Sequence, residues 1–136
     1  MVYLDTNILI YASVEQDAAK KEHALDRIES LSQKGELVLS TLSIQEFAFT
    51  MAKLGIEDRV IREDSAFYLE FVTVEPDYAI LRQAVESCTR RHQCKNINDI
   101  QHLYLAEKAR CLTLVTYDRD FRRLEGLADV KIEILS

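Results

Sequence analysis

Short apolar runs alternate along this chain with longer stretches in which apolar residues recur every three or four positions. Val2 to Leu4 is such a run, stopped by Asp5, Thr6 and Asn7, and it predicts a buried strand ending in a helix start. Ile8 to Ala12 form the first turns of that helix. Ala24, Leu25, Ile28 and Leu31 repeat at helical spacing and predict a second helix over about Ala18 to Gln33, stopped at Gly35. Leu37 to Leu39 predicts a short strand. Ser43 and Glu46 have the spacing of a capping box, opening a helix that runs to about Leu54 with Gly55 behind it. Glu57 to Phe71 predicts another helix, and Val72 to Val74 a strand closed by Pro76. Asp77 then reads as the N-cap of a helix reaching about His92, with a core stripe of Leu81, Ala84, Val85 and Cys88. Asn98 or Asp99 opens the next helix, which ends near Arg110. Leu112 to Thr116 is the most apolar strand, a helical turn follows around Phe121, and Lys131 to Leu135 makes a last strand at a sheet edge.

Strands thus alternate with one or two helices throughout. Parallel strands need crossover connections of this kind, so the expected fold class is α/β: a single domain over residues 1–136, with a parallel sheet of about five strands and helices on both faces. Ligands of such sheets bind beyond the carboxyl ends of the strands, near the topological switch point.

Composition narrows the picture. With 136 residues and 48% apolar content the chain can bury a core without staples. Seventeen basic against 23 acidic residues give a formal charge of −6, which excludes generic, charge-driven binding to nucleic acid. The excess acid instead suits a divalent metal, and a polyanionic substrate would need that metal together with local basic patches. Cys88, Cys94 and Cys111 are odd in number and form no Cys-x-x-Cys pair, so reduced thiols are expected, with Cys88 and Cys111 in the core. Cys88, His92 and Cys94 lack a second pair to complete a zinc set. No basic region precedes the first apolar run and no stretch approaches the ~20 apolar residues of a membrane span, so a soluble, cytoplasmic protein is expected.

The acids that follow strands or open helices carry the chemistry. Asp5 follows the first strand, Glu46 lies in the first turn after the second, Asp99 lies in the first turn before the fourth, and Asp118 and Asp120 follow the fourth. Each has an ordinary reading: Glu46 completes a capping box, and the aspartates cap helices or favour their dipoles. Asp5 is least well explained by capping, because Thr6 and Asn7 follow it. Brought to one sheet end, these carboxylates repel one another unless a cation joins them. Magnesium or manganese, hard ions that prefer oxygen ligands, would then serve hydrolysis of a phosphodiester.

Leu4-Asp5-Thr6-Asn7 after a first strand, Glu46 at a helix start, Asn98-Asp99 at another and Thr116-Tyr117-Asp118 after a strand together resemble the PIN domain, most closely the VapC toxins of prokaryotic toxin–antitoxin pairs. The resemblance runs through essentially the whole chain. It implies a magnesium- or manganese-dependent endoribonuclease with Asp5, Glu46, Asp99 and Asp118 as catalytic, metal-binding acids. Asn7 and Thr116 would support those acids, with Asp120 a further, weaker candidate. It also implies an RNA substrate, a homodimer, and a cognate VapB-like antitoxin that packs over the active-site groove and supplies the DNA-binding half of the complex. One stretch departs from the pattern: Ile100-Gln101-His102 stands where many relatives have small apolar residues. Gln101 and His102 either line the pocket or, as the favoured expectation, lie on a solvated or partner-facing side of the helix.

Arg90, Arg91, His92 and Lys95 precede Asp99, while Arg119, Arg122 and Arg123 follow Asp118. Arg119, Arg122 and Arg91 are the candidate RNA contacts, Arg119 foremost; solvated helix ends are the ordinary alternative. Most aromatics are expected in the core, with Tyr117 either buried or stacking on a base. The helices from Ser43 to Phe71 carry more apolar surface than one face of a thin domain needs, which suggests an antitoxin groove or dimer face beside ordinary packing. Rival readings are a PIN nuclease of RNA maturation or decay, a catalytically inactive PIN module, and a phosphoacceptor receiver domain. The last is weak, since no acid pair follows the first strand and no lysine follows Val115.

Overall fold

The computed structural model describes residues 1–136. Five strands, β1 (Val2–Leu4), β2 (Leu37–Ser40), β3 (Val72–Val74), β4 (Thr113–Thr116) and β5 (Lys131–Ile134), form one sheet in the order β3-β2-β1-β4-β5. Every pairing is parallel. Six helices connect them: α1 (Thr6–Ser13), α2 (Ala18–Gln33), α3 (Thr41–Lys53), α4 (Asp58–Leu69), α5 (Tyr78–Arg90) and α6 (Ile97–Lys108), with short 3-10 turns at Cys94–Asn96 and Arg119–Leu124. No helix is long and apolar enough to cross a membrane.

Alternation along the strands divides the core in two. Tyr3, Val38 and Leu114 point to one face, where Ile80, Ala84, Ile100 and Leu103 of α5 and α6 cover them. Leu4, Leu37, Leu39 and Val115 point to the other, against Ile8, Ile28, Phe47 and Tyr68 of α1 to α4. Both faces of β1, β2 and β4 are therefore dry, which is why these strands read as unbroken apolar runs. The predicted α/β class, with helices on both faces, is what the chain adopts. Strand order reverses between β1 and β4, so the switch point lies where Asp5 and Asp118 emerge.

Several boundaries and faces differ from expectation. Helix α3 starts at Thr41, directly after β2, because the Ser40 hydroxyl caps it by accepting the Ser43 N–H; Ser40 and Ser43 form the capping box. Ser43 therefore opens nothing, and Glu46 falls in the second turn, with no capping role. Asn96 occupies the N-cap position of α6, so neither Asn98 nor Asp99 opens it. Strand β4 begins one residue after Leu112, whose side chain is left exposed. Leu25, Leu81 and Val85 are exposed rather than core; the buried stripe of α5 is Ile80, Ala84, Ser87 and Cys88. In each helix the apolar arc was broader than the surface it met, and the neighbouring element decided which edge was covered. Cys88 and Cys111 are buried as expected, and burial pushes each thiol up to about 11, where it is unreactive.

Candidate active site

Asp5 is the N-cap of α1, but its carboxylate bonds the very next backbone group: Oδ1 accepts the Thr6 N–H at 2.8 Å. Its Oδ2 accepts the Thr116 hydroxyl, also at 2.8 Å. That hydroxyl in turn accepts the Asn7 side-chain amide at 3.1 Å and the Asp118 N–H at 2.9 Å. Asn7 Oδ1 accepts the Tyr117 N–H at 3.2 Å. One donor and two lone pairs are all a threonine hydroxyl has, and Thr116 uses them all to tie the exits of β1 and β4 together. Asn7 and Thr116 thus stand where a supporting role requires. Asp118 Oδ1 accepts the Asp120 N–H at 2.9 Å; Asp120 contributes only that backbone group, and its side chain faces solvent.

Asp5, Asn7, Glu46, Asn98, Asp99 and Asp118 line one cavity of about 560 Å³, whose other wall includes Tyr11, Phe49 and Leu54. No lysine or arginine lines it. Asp99 is the least satisfied acid, with only a 3.5 Å contact from the Asn96 amide. Burial and the neighbouring Asp5 and Asp118 charges push its carboxyl up to about 7. Burial also raises Asp5, against the opposing pull of His102 and Thr116.

Glu46 behaves differently. Burial would raise it, but bonds from His102, Thr6 and Asn98 outweigh that and hold it below the usual carboxylate range. Oε1 accepts the Thr6 hydroxyl at 2.8 Å and meets His102 Nε2 at 2.5 Å, while Oε2 accepts the Asn98 amide at 3.0 Å. His102 is fully buried, although a solvated or partner-facing place was expected for it, and Gln101 is buried beside it. Burial alone would drive the imidazole toward neutrality; the Tyr3 oxygen and the carboxylates of Glu46 and Asp5 outweigh it and raise the ring well above 6.5. Its Nε2 lies 4.0 Å from Asp5 Oδ1. Sequence reading assigned no role to Tyr3 or Thr6, and for His102 it favoured a solvated or partner-facing place over one at the pocket. The available signal was spacing: His102 lies three residues after Asp99 and so shares its helix face.

The donor set fits a hard divalent ion in kind. It is all oxygen, no lysine or arginine balances its negative charge, and burial together with the neighbouring Asp5 and Asp118 charges raises the Asp99 carboxyl. As the side chains stand, no group of three or more His, Cys, Asp or Glu is poised to hold a metal. Asp5, Asp99 and Asp118 face the same space without forming a closed coordination shell.

The arginines lie outside the cavity. Arg119 and Arg122 are exposed on the turn after Asp118. Arg91 is exposed too, donating to the Arg123 carbonyl and to the Gln93 side chain, which joins the two basic groups. Tyr117 is partly buried: its ring packs edge-on against Tyr11 at 5.0 Å with Lys20 over both. Phe49, by contrast, is 66% exposed beside the cavity.

Comparison with known proteins identifies the family and the fold. No curated protein matches the chain. Among solved structures, the Mycobacterium tuberculosis toxin VapC20, a sarcin–ricin loop cleaving toxin, is 18% identical with a TM-score of 0.72 over 96% of this chain and 99% of that one. VapBC2 from Rickettsia felis, bound to a fragment of promoter DNA, is 17% identical with a TM-score of 0.68 over the full length of both chains. VapBC-1 from nontypeable Haemophilus influenzae is 20% identical with a TM-score of 0.62 over 98% of each. These likenesses establish the shared fold. The family model of the PIN domain matches residues 2–127, nearly the whole chain, and the protein belongs to the PIN domain family.

Proposed function

We propose that the chain is a magnesium- or manganese-dependent endoribonuclease, the toxin of a type II toxin–antitoxin pair that acts in the cytoplasm by cutting RNA needed for translation. The observation that carries this reading is the cavity at the β1/β4 switch point, lined by Asp5, Asp99 and Asp118 and by no basic side chain. These three aspartates would hold the ion, with Glu46 facing it from α3. A bound divalent ion supplies a Lewis acid that polarises a phosphodiester and lowers the pKa of a water. Thr116 and Asn7 keep Asp5 and the Asp118 backbone in place, and Arg119, Arg122 and Arg91 are the nearby cations for RNA phosphates.

Exposed Phe49, Phe67 and Leu69 on the α3–α4 pair support a protein partner there, and an antitoxin of the VapB kind is the partner this reading names. The family resemblance adds a homodimer and contact with DNA only through the antitoxin. The test incubates the wild-type chain and Asp5→Asn with total RNA in magnesium, manganese or EDTA. Cleavage that needs metal and disappears in Asp5→Asn is expected. A folded, partner-free chain that cuts nothing under any metal would sink the nuclease reading. Native mass spectrometry of the chain, alone and co-expressed with a VapB-like antitoxin, checks the dimer and the partner.

A further inference from the structure

We propose that His102 is a positioning residue that restrains Glu46, limiting that carboxylate to a single open lone pair toward the ion; the inference rests on the metal-dependent reading above. The chain of contacts is continuous and buried. His102 Nε2 meets Glu46 Oε1 at 2.5 Å, and Nδ1 meets the Tyr3 hydroxyl at 2.6 Å. Tyr3 is anchored to the Ser40 hydroxyl at 2.7 Å, within the capping box of α3, the helix that carries Glu46. The ring is therefore held from β1 and from the start of α3 at once.

A carboxylate oxygen offers two lone pairs. Thr6 and His102 occupy both on Oε1, and Asn98 occupies one on Oε2. One remains. Glu46 lines the cavity, whereas His102 does not, so His102 reaches the reacting region only through Glu46. Without the ring, Oε1 is released and Glu46 can chelate the ion with both oxygens. A second coordinating oxygen tightens cation binding, but in a pose the three aspartates do not share.

The alternative is a satisfied core histidine that serves stability alone. Two neutral variants separate these roles. The amide of His102→Gln reaches roughly where Nε2 lies and retains the Glu46 contact. The amide of His102→Asn lies near Nδ1, so it retains Tyr3 and releases Glu46. Both lose the same ring. Binding of Mn2+ is titrated by electron paramagnetic resonance on the full, partner-free chain, alongside single-turnover cleavage of RNA and circular dichroism to verify folding.

The expected result is Mn2+ binding severalfold tighter in His102→Asn than in His102→Gln, with cleavage about 10- to 100-fold slower. In a Glu46→Gln background the difference between the two should vanish. Equal Mn2+ affinities, or a difference that survives in Glu46→Gln, overturn the proposal. Should His102→Asn unfold, His102→Leu replaces it, filling the space of the ring with no donor for Glu46; an Mn2+ affinity there equal to that of His102→Gln overturns the proposal as well. A wild-type chain that binds no Mn2+ overturns both this inference and the metal-dependent reading. Binding without RNA cleavage overturns the ribonuclease reading alone.

Discussion

Asp99→Asn should stabilise the metal-free protein, although it removes a residue proposed to hold the ion. The Asp99 carboxyl rises from 3.8 to about 7 on folding, driven first by burial and then by Asp5 and Asp118. A raised folded pKa means that the native state holds a proton which the unfolded chain has released. Between 3.8 and about 7 the metal-free native state therefore binds more protons than the unfolded one, and stability falls as pH rises through that window. At about 1.4 kcal/mol per unit the ceiling is about 4 kcal/mol, and the open side of the cavity lowers it to roughly 2–3 kcal/mol. For a domain of this size that corresponds to roughly 5–15 °C in melting temperature.

Thermal melts of EDTA-treated protein across that pH range provide the assay. Wild type should lose stability as pH rises toward and past 7, while Asp99→Asn stays flatter and melts higher on the alkaline side. Magnesium should remove the wild-type deficit, and do so better at higher pH, because ion and proton compete for the same oxygens. Asp99→Asn should gain much less from magnesium. Wild-type and variant curves that run parallel across the window would refute the reasoning, since the difference between them isolates this one carboxyl.

Thr116→Val keeps the shape of a buried side chain but orphans three partners, Asp5 Oδ2, the Asn7 amide and the Asp118 N–H, so a loss of about 2–4 kcal/mol is expected by chemical denaturation. Thr116→Ser should recover most of it; a neutral Thr116→Val would mean the hydroxyl does not tie β1 to β4. Phe47 and Phe49 are two residues apart, yet Phe47→Ala should cost about 3–5 kcal/mol while Phe49→Ala stays within about 0.5 kcal/mol, because the first ring is fully buried and the second 66% exposed. Equal losses in urea melts would contradict that assignment of faces. Arg119→Ala should weaken RNA binding and reduce the salt slope of log affinity by about 1, measured by fluorescence anisotropy with Asp5→Asn as the non-cleaving background. An unchanged slope would remove Arg119 from the RNA path.

Much of the architecture was legible in the chain itself. Three-residue apolar runs, separated by stretches of helical period, leave a parallel sheet with crossover helices as the consistent arrangement, and Val72–Val74 and Ala18–Gln33 were readable to the residue. The placement of Asp5 and Asp118 beyond strand ends followed from the same pattern, since a carboxylate cannot remain inside a dry strand. Helix faces were less legible. Leu25, Leu81 and Val85 sit on apolar arcs wide enough to turn either way, and only the packing of the neighbouring element selects the covered edge. Glu46 drew its capping-box reading from local spacing, yet Ser40 had already capped the helix from the end of β2. His102 was the least legible of all. A histidine inside a helix is polar by composition, and solvent is its default surrounding. Its burial is decided by the Tyr3 hydroxyl, 99 residues away in sequence, and by Glu46, 56 residues away, which together supply the bonds that make removal from water tolerable. Periodicity reports which side chains avoid water; which polar groups can do without it depends on partners that only the folded chain brings within reach.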